Sequence, residues 1–275
     1  MKTILITGTS SGIGKAAALL FQKRGWQVAA IMRETDNDSE LMKLDNVRCY
    51  QVDVRDKEMV ESCVQTVIND FGKIDVLLNN AAVLVGGPVE SASDDGISRI
   101  IETNIIGYIH MTRAVVPHFR SRKAGKLIYV SSLSGRMTLP YQSLYHGTKY
   151  AVEGFSEGLV YEMKQIGAAV KIIEPGMVKT NFYDDFWDIK PDEFPGEYRG
   201  TFNNWQQFMM KDYEYGISPH QVARTIYRAA VGRSSRLRYT VGPDIKMALF
   251  FKSVLPFSVF CLLVYHLTAK KIGGK

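Results

Sequence analysis

Cysteine is scarce in this chain and poorly placed for either of its structural uses. Cys49, Cys63 and Cys261 are odd in number and widely separated, so neither a disulfide framework nor a zinc site is expected, and no other metal site is read. A reducing, cytoplasmic setting is the simplest expectation. Internal repeats and low-complexity tracts are also missing. Only Thr3 to Ile6 separate Met1-Lys2 from a glycine turn, too short a run for a signal-peptide core. Surplus charge is missing from most of the chain. Residues 219–275 carry ten Lys/Arg against one acid, Asp244, whereas residues 1–218 sum to −3. A nucleic-acid-binding core is therefore not expected.

What is present is a 275-residue chain with 46% hydrophobic and 23% charged residues, suited to one large α/β unit. Short β-branched runs alternate with helical patterns. Strands are expected at 4–7, 28–32, 47–52, 74–78, 126–131, 170–174 and 238–241, and helices at 13–24, 56–71, 97–120, 145–166 and 219–231. Such alternation predicts a doubly wound, Rossmann-type parallel sheet covered on both faces, in a single domain of residues 1–275. Polar and glycine signals follow five of the strands: the turn Thr7-Gly8-Thr9-Ser10-Ser11-Gly12-Ile13-Gly14, then Asp53, Asn79-Asn80, Ser131-Ser132 and Pro175-Gly176. In a parallel sheet those carboxyl ends share one edge, where open α/β sheets bind ligands.

The turn suits a pyrophosphate, because glycines let the phosphate approach the backbone and the following helix offers its amides and dipole. It also contains Gly8-Thr9-Ser10-Ser11-Gly12, formally a nucleophile elbow, so an α/β-hydrolase using Ser10 is an alternative. Only seven residues precede Gly8, which leaves no room for the earlier strand and loop that such a fold needs for its oxyanion hole.

Tyr145 and Lys149 lie four residues apart, so a helix sets the phenol and ammonium on one face, Cβ atoms about 5 to 6 Å apart. At an effective dielectric of about 20, a positive charge about 5 Å from a phenolate is worth roughly 3 kcal/mol, about two pKa units. That shift would bring a tyrosine towards neutral working range, provided that water is excluded.

Taken together, T-G-x-x-x-G-I-G at Thr7 to Gly14, Asn79-Asn80-Ala81, Asn104, Ser132, Tyr145-x-x-x-Lys149 and Pro175-Gly176 resemble the short-chain dehydrogenase/reductase family, over residues 3 to about 180. The resemblance implies a nicotinamide-dependent oxidoreductase acting on CH–OH groups. Tyr145 would be the general acid/base, and Lys149 would hold the nicotinamide ribose and lower the tyrosine pKa. Ser132 rather than Ser131 would bond the reacting oxygen, and Asn104 would anchor a water in a proton relay. Expected cofactor contacts are Gly8, Ser10, Ser11, Gly12, Ile13, Gly14, Arg33, Asp53, Val54, Asn80, Tyr145, Lys149, Pro175, Gly176, Val178 and Thr180. Ala82 and Gly147 depart from the family's usual residues, small for small. The run from Tyr145 to Ser156 is similar to the hydroxysteroid and retinol dehydrogenase branch.

Strand two ends at Met32-Arg33, with no carboxylate immediately there for a ribose 2′-hydroxyl, so NADP is expected with Arg33 on the 2′-phosphate. Glu34 and Asp36 leave NAD open. Residues 181–215 hold eleven of the chain's 30 aromatic residues and are expected to form a lid over a bulky apolar alcohol or carbonyl, the bland reading being that the rings only fill core. An apolar helix is expected over 244–271. Its uncharged stretch, Ser253 to Ala269, spans seventeen residues, at the low edge for a membrane span. It is read either as a covering helix or, with its basic surroundings, as a peripheral membrane contact through 244–275. A homo-oligomer is expected, of an order that the residues do not give. A cofactor-binding regulator of the same fold, without turnover, is the remaining alternative.

Overall fold

A computed structural model describes residues 1–34, 40–183 and 191–268. Asp36, Phe186, Trp187 and the last seven residues lie outside the described residues. The seven strands are β1 (Thr3–Thr7), β2 (Gln27–Met32), β3 (Val47–Gln51), β4 (Val76–Asn79), β5 (Gly125–Val130), β6 (Ala168–Pro175) and β7 (Arg238–Val241). They form one sheet in the order β3-β2-β1-β4-β5-β6-β7, every pair parallel. The order reverses direction between β1 and β4, the kind of switch point at which doubly wound sheets open a ligand crevice. β1 and β4 are buried along their whole length, as expected of strands covered on both faces.

Two apolar layers flank the sheet. One face packs on α1 (Gly12–Lys23) and, later in the chain, a helix at 219–231, through Ala17, Phe21, Val222 and Ile226. The other packs on α2 (Lys57–Phe71) through Val60 and Val64. Each fully buried aliphatic side chain contributes about 1.5 to 3 kcal/mol.

The helix expected at 97–120 is a longer helical run with a defect. α3 (Asp94–Ile101) continues through a π-helical turn at Glu102–Ile106 into α4 (Gly107–Arg122). Such a turn inserts an extra residue into the helical ladder and re-aims the side chains it carries, here including Asn104. α5 (Ser143–Gln165) matches its expectation to within two residues at each end.

Within the aromatic-rich segment, Gly196–Glu214 form a helix that alternation had not placed, α6, which is followed by α7 (Pro219–Val231). The expected helix at 244–271 is corrected to two, α8 (Pro243–Val254) and α9 (Phe257–Thr268). The break falls at Leu255-Pro256, because proline lacks the amide for the helical ladder and pushes its predecessor into extended geometry; Leu255 has ψ 142°.

Candidate active site

The glycine turn is held open by its neighbours before any ligand is considered. Gly8 and Gly12 have φ of +70° and +56°, a left-handed backbone that favours glycine. A Cβ on Gly8 would fall 2.8 Å from Ala81 Cα, and one on Gly12 would fall 3.1 Å from Thr180 Cγ2. Thr7 locks the β1 and β4 ends together. Its Oγ1 accepts from the amides of Asn80 (2.9 Å) and Ala81 (3.0 Å), while Asn80 Nδ2 donates to the carbonyls of Thr7 (2.9 Å) and Gly8 (3.0 Å). A glycine cradle at a helix N-terminus fits a pyrophosphate group.

Around this cradle one cleft is lined by Gly8, Ser10, Ser11, Gly12 and Ile13 from the turn, Arg33 from the end of β2, and Asp53 and Val54 after β3. Asn80 after β4, Ser132, Tyr145 and Lys149, then Pro175, Gly176, Val178 and Thr180 complete its wall. Two expected residues do not line it. Gly14 packs behind the turn, and Asn104 stands behind Lys149's helix. Arg33 is exposed. Asp53 is paired with Arg55, its Oδ2 2.6 Å from the guanidinium, which holds its carboxyl below the usual range, with Arg33 adding to the effect.

At the far end of the cleft Tyr145 is 9% exposed and Lys149 2%. Lys149 Nζ donates to the Val130 carbonyl at 2.9 Å and lies 5.6 Å from the centre of the Tyr145 ring. Ser132 accepts from the Ser134 amide at 3.1 Å and lies near enough to the Tyr145 phenol to favour its ionised form. Ser131, its alternative by sequence, also lines the cleft, but its hydroxyl lies against Gly135 and acts on the Glu153 carboxyl rather than on Tyr145. Asn104 clamps both backbone groups of Val83, accepting from its amide at 2.8 Å and donating to its carbonyl at 2.9 Å. It also donates to Thr148 Oγ1 at 3.1 Å, beside Lys149.

Among the described rings of the aromatic-rich segment, five lie at or beside the cleft. Phe194, Phe202 and Trp205 are 1% exposed and form a small core with Leu84, Ile100 and Tyr145. Phe182 and Tyr183 line the cleft, with the Phe182 ring 5.9 Å from that of Tyr145.

A family model for short chain dehydrogenase matches residues 2–189. The chain belongs to the short-chain dehydrogenase family. An uncharacterised oxidoreductase of Schizosaccharomyces pombe is 40% identical over 215 residues, covering 77% of this chain and 88% of that protein. The 3-ketodihydrosphingosine reductase of Bacteroides thetaiotaomicron is 33% identical over 253 residues, covering 91% of each. Bovine (Bos taurus) retinol dehydrogenase 8 is 30% identical over 260 residues, covering 87% of this chain and 83% of that one. Among solved structures, a short-chain dehydrogenase from Streptomyces avermitilis superposes with a TM-score of 0.82 at 28% identity, covering 96% and 95% of the two chains. ElxO with NADP bound superposes at 0.73 and 26% identity, covering 90% and 99%.

As a short-chain dehydrogenase of the retinol and hydroxysteroid-like branch, the protein is an oxidoreductase acting on CH–OH groups with a nicotinamide dinucleotide. This displaces both the hydrolase and the non-catalytic alternatives. One electrostatic expectation is corrected. Burial raises the Tyr145 phenol above the ordinary tyrosine value, with Ser132 opposing, and lowers Lys149 to about 7. The dry pocket that strengthens charge pairing also penalises each charge separately, and here desolvation is the larger effect.

Several contributors carried little sequence signal. Thr7 was visible as part of the turn, but its pairing with Asn80 depends on a β1–β4 contact 73 residues apart. Behind Lys149, Arg238 Nε bridges buried Glu153 (3.0 Å) and Glu174 (3.2 Å), and Arg136 joins Glu174 at 3.0 Å. This network joins α5, β6 and β7 beneath the site, and nothing in the spacing of its members announces it.

Proposed function

We propose that the protein transfers hydride between NADP(H) and a bulky apolar alcohol or carbonyl compound of steroid, retinoid or long-chain lipid type. The observation that carries this reading is the placement of Tyr145: buried, close to Ser132, beside Lys149, and lined with Phe182 and Tyr183 in one cleft. Rings on the substrate side and few charges there favour an apolar molecule, because a polar one would lose hydration without replacement bonds. The names of the relatives, a ketodihydrosphingosine reductase and a retinol dehydrogenase, lie in the same direction.

The cofactor would supply or receive hydride at nicotinamide C4. In the reducing direction Ser132 would donate to the carbonyl oxygen and Tyr145 would deliver the proton from its hydroxyl; in the oxidising direction the same phenol would receive it. Lys149 would hold the ribose hydroxyls and, when charged, ease loss of the phenolic proton. Asn104 would hold a water of the proton relay through the free lone pair of its side-chain oxygen. Gly8 to Gly14 would cradle the pyrophosphate, with Asp53, Val54, Asn80 and residues 175–180 along the rest of the cofactor. Arg33, exposed at the rim, would meet the 2′-phosphate, in keeping with the NADP-bound state of ElxO.

A cytoplasmic protein in peripheral contact with a membrane through 244–275, assembled from identical chains, completes the reading. Among the described residues no helix is long and apolar enough to cross a membrane.

The test is a panel of lipophilic and small polar alcohols and ketones assayed with both cofactors by nicotinamide absorbance. The expected result is turnover of the lipophilic members with a lower KM for NADP(H). Better turnover of small polar substrates, or an equal or lower KM for NAD(H), would overturn the corresponding half of the proposal.

A further inference from the structure

The last two described helices are anchored at a few points and bare elsewhere. Ile245 and Phe260 point inward and are buried, and Lys252 Nζ donates to the Arg136 carbonyl and, at 2.8 Å, to the Tyr150 hydroxyl of α5. Met247, Phe250, Phe251 and Val254 of α8 are exposed, as are Phe257 (69%), Leu262 (59%), Val259, Leu263, Tyr265 and Leu267 of α9. At about 3.6 residues per turn the six on α9 occupy most of its circumference. A helix apolar nearly all round belongs in a core or in lipid.

The protein does not provide that core. α9 rests on α6, but the α6 side facing it mixes Phe208 with Glu197, Asn203, Gln207 and Lys211, and a groove separates these from Tyr265 and Leu267. The two helices are thus parted by an open groove, without the close packing that a permanent helix pair has. With 12 residues α9 is about 18 Å long, well short of the roughly 30 Å hydrocarbon layer. It can lie in a membrane surface but not span it.

Charge chooses between the possible occupants. From the start of α8 onward, residues 243–275 carry five lysines, Lys246, Lys252, Lys270, Lys271 and Lys275, against one acid, Asp244. Two copies meeting through this region would bring like charges together, whereas an anionic lipid surface complements it.

The same helices adjoin the catalytic apparatus on two sides. The inner face of α6 places Phe202 and Trp205 in the small core that includes Tyr145, and its outer face meets α9. α8 is tied to Tyr150, next to Lys149. We propose that α8 and α9 form an in-plane docking hairpin for an anionic lipid bilayer, which sets the outer face of the lid against the membrane so that apolar substrate enters the cleft from the bilayer. This deepens the peripheral membrane contact proposed above, and its second half rests also on the apolar-substrate reading.

The experiment uses the full chain with vesicles of phosphatidylcholine containing about one third phosphatidylserine at low salt. Flotation measures binding, and turnover is followed for a lipophilic ketone dissolved in the vesicles and for a short water-soluble ketone. The comparison is with the doubly substituted variant Phe257→Asp, Leu262→Asp, whose sites are exposed, with its melting temperature checked. The expected result is flotation of the wild type and a loss of about tenfold or more in the variant. Turnover of the vesicle-borne ketone should fall in parallel, and that of the soluble ketone should stay within twofold. Wild-type protein that stays unbound overturns docking. So does a variant that leaves flotation unchanged, or one that converts a wild-type dimer into a monomer by light scattering without a change in flotation. Flotation with equal turnover of vesicle-borne ketone by both proteins overturns the entry route. Flotation without turnover of any ketone keeps docking and removes the substrate reading.

Discussion

Gly14 lies so close to Gly8 that a Cβ at residue 14 would sit 2.0 Å from the Gly8 carbonyl oxygen, and 2.7 Å from Asn80 Nδ2. Both neighbours belong to the clamp that shapes the cofactor turn, so neither can give way without moving it. Gly14→Ala is expected to weaken NADP(H) binding by at least about tenfold, and to cost about 1 to 3 kcal/mol of stability by overpacking. Fluorescence titration with NADPH and thermal melting would check the two effects. Unchanged affinity would mean that the turn does not carry the pyrophosphate.

Tyr145→Phe removes the phenolic proton while keeping the ring that packs with Leu84 and Phe202. Turnover is expected to fall by about 10² to 10⁴, the usual share of a positioned acid or base, while cofactor affinity changes little. Single-turnover absorbance and NADPH titration on the same preparation would separate the two. A loss confined to affinity would dismiss the proton-transfer role.

Lys149 gives a pH signature of its own. Burial lowers it to about 7, below an unfolded lysine near about 10.4. Between those values the unfolded chain binds the proton and the folded chain does not, so this group makes stability rise with pH across that window. Below about pH 7 both states hold the proton and the cost of burying the charge is fully present. In cofactor-free protein, Lys149→Met is expected to flatten the rise in melting temperature between about pH 7 and 10 relative to wild type. Parallel curves would show that the ammonium is not buried as described.

Asn104 makes three hydrogen bonds that fix the π-helical turn to Val83 and to Thr148. Asn104→Ala removes the partner of both the amide and the carbonyl of half-buried Val83, at about 1 to 3 kcal/mol in all. Denaturant unfolding should show this loss, and turnover should fall as the support behind Lys149 loosens. Undiminished stability would imply that water replaces the side chain.

Arg33→Ala tests cofactor choice. The expected outcome is a rise of about tenfold or more in KM for NADP(H) with little change for NAD(H), since removal of a charged hydrogen bond costs about 1.5 to 3 kcal/mol. Equal changes for both cofactors would place the 2′-phosphate elsewhere.

The sheet, five of the helices and nearly the whole cleft were legible because parallel strands announce themselves by short apolar runs and because polar signals followed those runs at one edge. Ser132 was preferred to Ser131 by the register that the family resemblance implies, and both hydroxyls line the cleft. α6 was harder: Phe202, Trp205 and Met209 follow a helical period, but they are embedded among other aromatic residues that obscure it. The Glu153, Glu174, Arg136 and Arg238 network joins residues up to 102 positions apart, and no local pattern encodes it. The sign of the tyrosine shift was also out of reach, since it depends on how far both Tyr145 and Lys149 are buried.

The clamp at Thr7 has a further consequence for the order in which this molecule assembles. The glycine turn stands almost at the beginning of the chain, yet its shape depends on hydrogen bonds from Asn80 and Ala81, 73 and 74 residues later. Contacts at such separations carry a loop-closure cost that local ones avoid. During synthesis the turn cannot reach its native form until β4 has emerged and paired beside β1. The turn therefore matures late, only once the central pair of strands is in register.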